Sequence, residues 1–109
     1  YALWVRTMAE GSPPSLTPAT IADGTAAPYD PSLRPRLEVA VQRWLAVPEE
    51  SVRAAVGDHA RRHKLVVEGA GAIAFAAARI LAAEAPAVPT VAVVSGGNID
   101  PALLAQLLA

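Results

Sequence analysis

The sequence predicts an α/β fold, a mostly parallel sheet with flanking helices, on three observations. The apolar run Thr90-Val91-Ala92-Val93-Val94 suits a parallel strand buried on both faces. It leads into Ser95-Gly96-Gly97-Asn98 and then Asp100-Pro101, which reads as a helix start. Upstream, Lys64-Leu65-Val66-Val67-Glu68 is short and extended, and Gly69-Ala70-Gly71 after it opens an alanine-rich helix. Strand, glycine turn and helix thus occur twice. In α/β proteins that junction is also where small ligands sit, beside the positive end of the next helix.

The elements follow in order. Tyr1 to Glu10 carries a short helical pattern, with Leu3, Val5 and Met8 apolar, closed by Gly11. Residues 12–35 form an extended Pro-rich crossing segment. Pro13, Pro14, Pro18, Pro28, Pro31 and Pro35 exclude a regular helix or central strand, and Leu16, Ile21 and Tyr29 anchor it. Leu33, Leu37, Val41 and Trp44 recur at helical spacing, so Ser32 to Arg43 reads as an amphipathic helix. Trp44-Leu45-Ala46-Val47 reads as a short strand. Pro48-Glu49-Glu50 then starts a helix running to about His63, with Val52, Ala55, Val56 and Ala60 on its buried side. The alanine-rich helix spans about Ala72 to Ala85 and stops at Pro86. No internal repeat is present.

Composition bounds the function. At 109 residues, with 53% hydrophobic and 17% charged residues, the chain is one small domain with a core. A formal net charge of -1 argues against nucleic acid or an anionic membrane as a partner. The absence of cysteine removes disulfides, thiolate metal sites and a cysteine nucleophile, and suits a cytoplasmic setting. Arg79 and Glu84 interrupt the longest apolar stretch, and no secretory signal is recognisable. The sequence starts without methionine inside the apolar pattern Tyr1-Ala2-Leu3-Trp4-Val5, so a piece of a longer chain is expected.

Several groups are candidates for chemistry. The hydroxyl of Ser95 can donate or accept a hydrogen bond, and Gly96 and Gly97 allow positive φ or close approach to a flat ligand. The same turn is also how any strand-to-helix corner is made. Glu68 reads either as a pocket carboxylate or as a helix N-terminal carboxylate favoured by the dipole. For Asp23 a turn-stabilising side chain is the simpler reading. The basic run His59-Ala60-Arg61-Arg62-His63-Lys64 is read as cations complementing a helix C-terminus rather than as a phosphate patch.

Three motifs stand in a fixed order: Thr20-Ile21-Ala22-Asp23-Gly24, Lys64-Leu65-Val66-Val67-Glu68-Gly69-Ala70-Gly71-Ala72, and Ser95-Gly96-Gly97-Asn98-Ile99-Asp100. Together they closely resemble the C-terminal part of the catalytic domain of the serine/threonine dehydratases, which are pyridoxal-phosphate enzymes of fold type II (tryptophan synthase β-like). Serine racemase shares the pattern. The resemblance covers nearly the whole chain, 1–109.

The resemblance implies roles residue by residue. Ser95 would hydrogen-bond the pyridine nitrogen of pyridoxal 5'-phosphate, and Gly24 would lie beside the cofactor ring where a side chain would collide. Gly96 belongs to the cofactor-binding turn, and Glu68 matches a carboxylate near the pocket. A neutral hydroxyl leaves the pyridine nitrogen largely unprotonated, which moderates the electron sink. The family's Schiff-base lysine, in a Ser-Phe-Lys type motif, its phosphate-cradling glycine loop and its divalent-metal carboxylates lie upstream and are absent here. Lys64 is the sole lysine and does not occupy the aldimine position. No catalytic and no metal-binding residue is therefore assigned within this chain.

The implied function is a fragment of a lyase that takes L-threonine or L-serine to the 2-oxo acid and ammonia. An amino-acid racemase or another β-eliminating lyase is the nearest alternative. A non-catalytic α/β interaction module is the alternative from a different class. Expected partners are an amino-acid substrate and either the N-terminal remainder of the enzyme or a second subunit, the parent being a homo-oligomer.

Overall fold

Each helix boundary has a local cause. The computed structural model describes residues 3–11 and 19–109, so Pro13, Pro14, Leu16 and Pro18 of the crossing segment lie outside the described residues. Helix α1 (Leu3–Glu10) ends at Gly11, whose φ of 80° is left-handed and whose amide donates to the Thr7 carbonyl at 2.8 Å. Within the described part of the crossing segment, Asp23–Thr25 and Pro31–Leu33 are single 3₁₀ turns. Asp30 opens the second by accepting from the Ser32 amide at 2.9 Å. Helix α2 (Arg34–Ala40) follows, shorter than the expected span 32–43.

Helix α3 (Glu49–Asp58) starts directly after Pro48 and carries both expected carboxylates in its first turn. It continues as a π-helical turn over His59–His63 and stops at Lys64, which is left-handed at φ 59°. Helix α4 (Gly69–Glu84) opens at the first glycine rather than at Ala72. Helix α5 (Pro101–Leu108) is capped as expected, the Asp100 carboxylate accepting from the amides of Ala102 (2.6 Å) and Leu103 (3.3 Å).

The core lies where α3 meets α4 and α5. Ala55, Val56, Val67, Ala72 and Ala76 are buried there, flanked by Ile21, Val47, Phe75, Ile99, Leu104 and Leu107. Small residues on the facing sides of α3 and α4 permit this close approach. On α3 the buried side holds Val52, Ala55 and Val56 as expected, but His59 replaces Ala60. His59 lies seven residues after Val52, on the same face of the helix, and the π turn begins only at that residue. There its Nδ1 lies 2.8 Å from the Ala55 carbonyl, and its ring meets Phe75 edge-on at 4.5 Å.

The expected sheet is absent. Among the described residues there is no strand, which overturns the mostly parallel sheet and the fold type II architecture that the resemblance implied. Thr90–Val94, Lys64–Glu68 and Trp44–Val47 are extended or irregular and form no ladder. The Glu68 amide donates to the Gly96 carbonyl at 3.2 Å, two residues beyond the first stretch. Valine-rich composition favours extended backbone, but a strand exists only through hydrogen bonds to a neighbour. Here the valines face outward instead, Val91 at 93% and Val93 at 71% exposure. The architecture is helical. No described helix is long and apolar enough to cross a membrane.

Candidate functional site

The three motifs meet at the first turn of α4. Gly69 and Gly71 are required there by contact. A Cβ on Gly69 would overlap the Ile21 carbonyl, and one on Gly71 would overlap the Ser95 carbonyl. The segments around Ile21 and Ser95 therefore close on two sides of one helical turn, and only glycine lets the backbones approach so far. Gly24 sits on the Ile21 side, where an added Cβ would stand 3.1 Å from Ala70 Cβ.

The Ile21 side is tied down by polar contacts. Glu49 of α3 accepts from the Thr20 hydroxyl at 2.6 Å and from the Ile21 amide at 2.8 Å. Burial alone would raise the Glu49 pKa. The Thr20 and Ile21 hydrogen bonds, with the Arg53 guanidinium 3.6 Å away, outweigh it and hold the carboxyl below its ordinary value. Asp23 accepts from the Gly24 amide at 2.8 Å and Thr25 donates to the Ala22 carbonyl at 2.6 Å, so Asp23 has the turn-stabilising role.

The other side is the loop Ser95–Asn98. Gly96 has φ 73°, and a Cβ there would run into the Glu68 carboxylate. Glu68 Oε2 accepts from the Asn98 amide at 3.0 Å, while the Glu68 amide donates to the Gly96 carbonyl. Glu68 makes no side-chain cap on α4, although it occupies the cap position. Its carboxylate belongs to the loop. Ser95 is exposed, and its hydroxyl has no partner among the described residues.

Of the residues singled out from sequence, Ser95, Gly96 and Glu68 are thus neighbours, and Gly24 lies across the α4 turn from them. Ser95, Gly96 and Glu68 share one exposed edge of the α4 turn, and Gly24 is on the other. An unpartnered hydroxyl faces outward from a restrained loop, and a glycine nearby presents no side chain. Lys64 is turned to another task, its Nζ donating to the Arg61 carbonyl at 2.7 Å. The rest of the basic run is likewise structural. Arg61 donates to the Leu107 carbonyl at the end of α5 at 3.0 Å, and Arg62 lies 3.3 Å from Asp58.

Sequence reasoning missed Glu49, Thr20 and Gly71 as organisers of the site. Each stood inside a motif already noted, but their partners are 24 or more positions away and leave no local signal. A separate apolar cavity of about 430 Å³ lies among Trp4, Leu37, Trp44, Val52 and Ile73, with Thr20 and Glu49 as polar members. It includes none of Ser95, Gly96, Gly24 or Glu68. Among the described residues, no group of three or more His, Cys, Asp or Glu side chains could hold a metal ion. A scan against family models and searches of curated proteins and of solved structures found no match to the chain.

Proposed function

We propose that this chain supplies one wall of the cofactor site of a pyridoxal-phosphate-dependent threonine/serine dehydratase. The observation that carries the reading is the convergence of the three motifs on the first turn of α4, with the Ser95 hydroxyl left unpartnered. It does not rest on a sheet. When bound, pyridoxal 5'-phosphate supplies the electron sink for removal of the α-proton and loss of the β-hydroxyl of L-threonine or L-serine. Ser95 donates a hydrogen bond to the ring nitrogen without transferring a proton to it. Gly24 leaves the space beside the ring open, and Glu68 holds the loop that carries Ser95. The reacting lysine and the phosphate donors come from another polypeptide segment or subunit, and the substrate amino acid enters on that side. The setting is cytoplasmic.

The test is a titration of the chain with pyridoxal phosphate, followed by amide chemical shifts. Weak, saturable shifts at Ser95–Asn98 and Gly24, lost in Ser95→Ala, are expected. Absence of shifts at millimolar cofactor, or identical shifts in Ser95→Ala, would overturn the reading. One observation favours a second reading, a non-catalytic interaction module. Val88, Val91, Val93 and Val94 expose a run of apolar surface on one segment, which a partner polypeptide would cover. Under that reading the valine segment binds a partner while Ser95→Ala changes nothing.

A further inference from the structure

We infer that Glu68 is the positioning residue of the Ser95–Asn98 loop, acting as a two-point clamp rather than as a helix cap or a cofactor ligand. In its functional half this rests on the cofactor reading above. Glu68 precedes α4 with φ -78° and ψ 167°, the extended geometry of a capping residue. Its side chain nevertheless makes no cap bond and reaches away from the helix to the Asn98 amide, 3.0 Å from Oε2. Its own amide holds the Gly96 carbonyl at 3.2 Å. The loop is thereby gripped at two points, one on each side of Gly97.

The clamp and the glycines require one another. Gly96 is left-handed at φ 73°, and a side chain there would strike Oε1 and Cδ of Glu68. At Gly97 an added Cβ would come within 2.9 Å of the Val66 carbonyl, in the segment that leads to Glu68. Both glycines of the turn are thus set by the approach of residues 66–68. The loop has few other restraints. The residues from Ser95 to Asn98 are exposed, and Thr90–Val94 before them forms no ladder. A charge-assisted hydrogen bond is the strong kind available to such a loop. What it fixes is the backbone that carries the Ser95 hydroxyl, whose direction decides whether it meets a ring nitrogen in plane.

The experiment uses the intact 109-residue chain as wild type, Glu68→Ala and Glu68→Gln. Glutamine keeps an acceptor oxygen at the same reach. Amide hydrogen exchange at Asn98 reads the clamp, and the ring-nitrogen resonance of ¹⁵N-labelled pyridoxal phosphate reads the hydrogen bond from Ser95. Glu68→Ala is expected to speed exchange at Asn98 by about tenfold or more and to abolish the Ser95-dependent ring-nitrogen shift. Glu68→Gln is expected to restore most of both. Unchanged exchange at Asn98 in Glu68→Ala would overturn the clamp. Faster exchange with an undiminished ring-nitrogen shift would overturn the positioning role. A wild-type chain with no ring-nitrogen shift would refute the cofactor reading alone, the clamp still being decided by exchange.

Discussion

Valine behaves in opposite ways in two halves of this molecule. In residues 47–84, Val52, Val56 and Val67 are buried to within a few per cent between α3, α4 and α5, and Val66 alone is exposed. In residues 85–98, Val88, Val91, Val93 and Val94 face outward. Burial therefore depends on what lies opposite. α3 and α4 present alanine and glycine to each other, so their backbones come close and the few larger side chains interlock. The C-terminal end of the 85–98 segment is held by the close glycine contacts at Ser95–Gly97 and by the Glu68 bonds to Gly96 and Asn98.

That contact is also the place where the comparison breaks most easily. Gly71→Ala puts a methyl group into the Ser95 carbonyl, and backbone cannot step aside as a side chain can. The expected cost is about 3 kcal/mol or local detachment of residues 95–98 from α4. Chemical denaturation with amide shifts of Ser95–Asn98 distinguishes the two results. A Gly71→Ala chain of wild-type stability with unchanged shifts would show that the two segments do not touch.

A paired substitution sharpens the contrast between the valines. Val56→Ala removes two methyl groups from a fully buried site and is expected to cost about 2 kcal/mol, from lost transfer energy and the cavity left behind. Val91→Ala, at a position 93% exposed, is expected to change stability by less than about 0.5 kcal/mol. Equal losses at the two positions would mean that Val91 is covered in solution, by a second copy or by another polypeptide.

The same contrast separates what could be read from the sequence from what could not. Gly11, Asp100-Pro101, Pro48-Glu49-Glu50 and Pro86 act within a turn or two of where they stand, so one end of each of four helices follows from local chemistry. A sheet depends on a second strand, and the valine run could not announce that none would lie beside it. Within the site, the three motifs did come together. Glu68 shows the limit of that reading. Its position left two readings, a pocket carboxylate or a helix N-terminal carboxylate, while its acceptor function is used 30 residues further on, at Asn98. His59 was missed for a different reason: it stands seven residues after Val52 and so on the same face, but a polar ring is not counted in an apolar pattern.

A smaller loss than at Val56 is expected at the carboxylate anchor on α3. Glu49 joins α3 to the segment carrying Gly24, accepting from the Thr20 hydroxyl and the Ile21 amide, as Glu68 joins the start of α4 to Asn98. Burial opposes the charge on Glu49, but the two hydrogen bonds and Arg53 prevail, and the folded carboxyl stays below its ordinary 4.5. A group depressed on folding contributes stability that is present above the unfolded value and is lost as pH falls through the folded one. Between pH 7 and pH 5 that contribution is therefore expected to be nearly whole, and it fades below about pH 4.5. Glu49→Gln should cost about 1 kcal/mol at pH 7 and make the acid limb of the stability profile shallower. Glu50, its exposed neighbour in the same turn, is the control, and Glu50→Gln should leave that limb in place. If Glu49→Gln and Glu50→Gln gave the same profile, Glu49 would be an ordinary first-turn carboxylate, and the Gly24 segment would be held to α3 by packing alone.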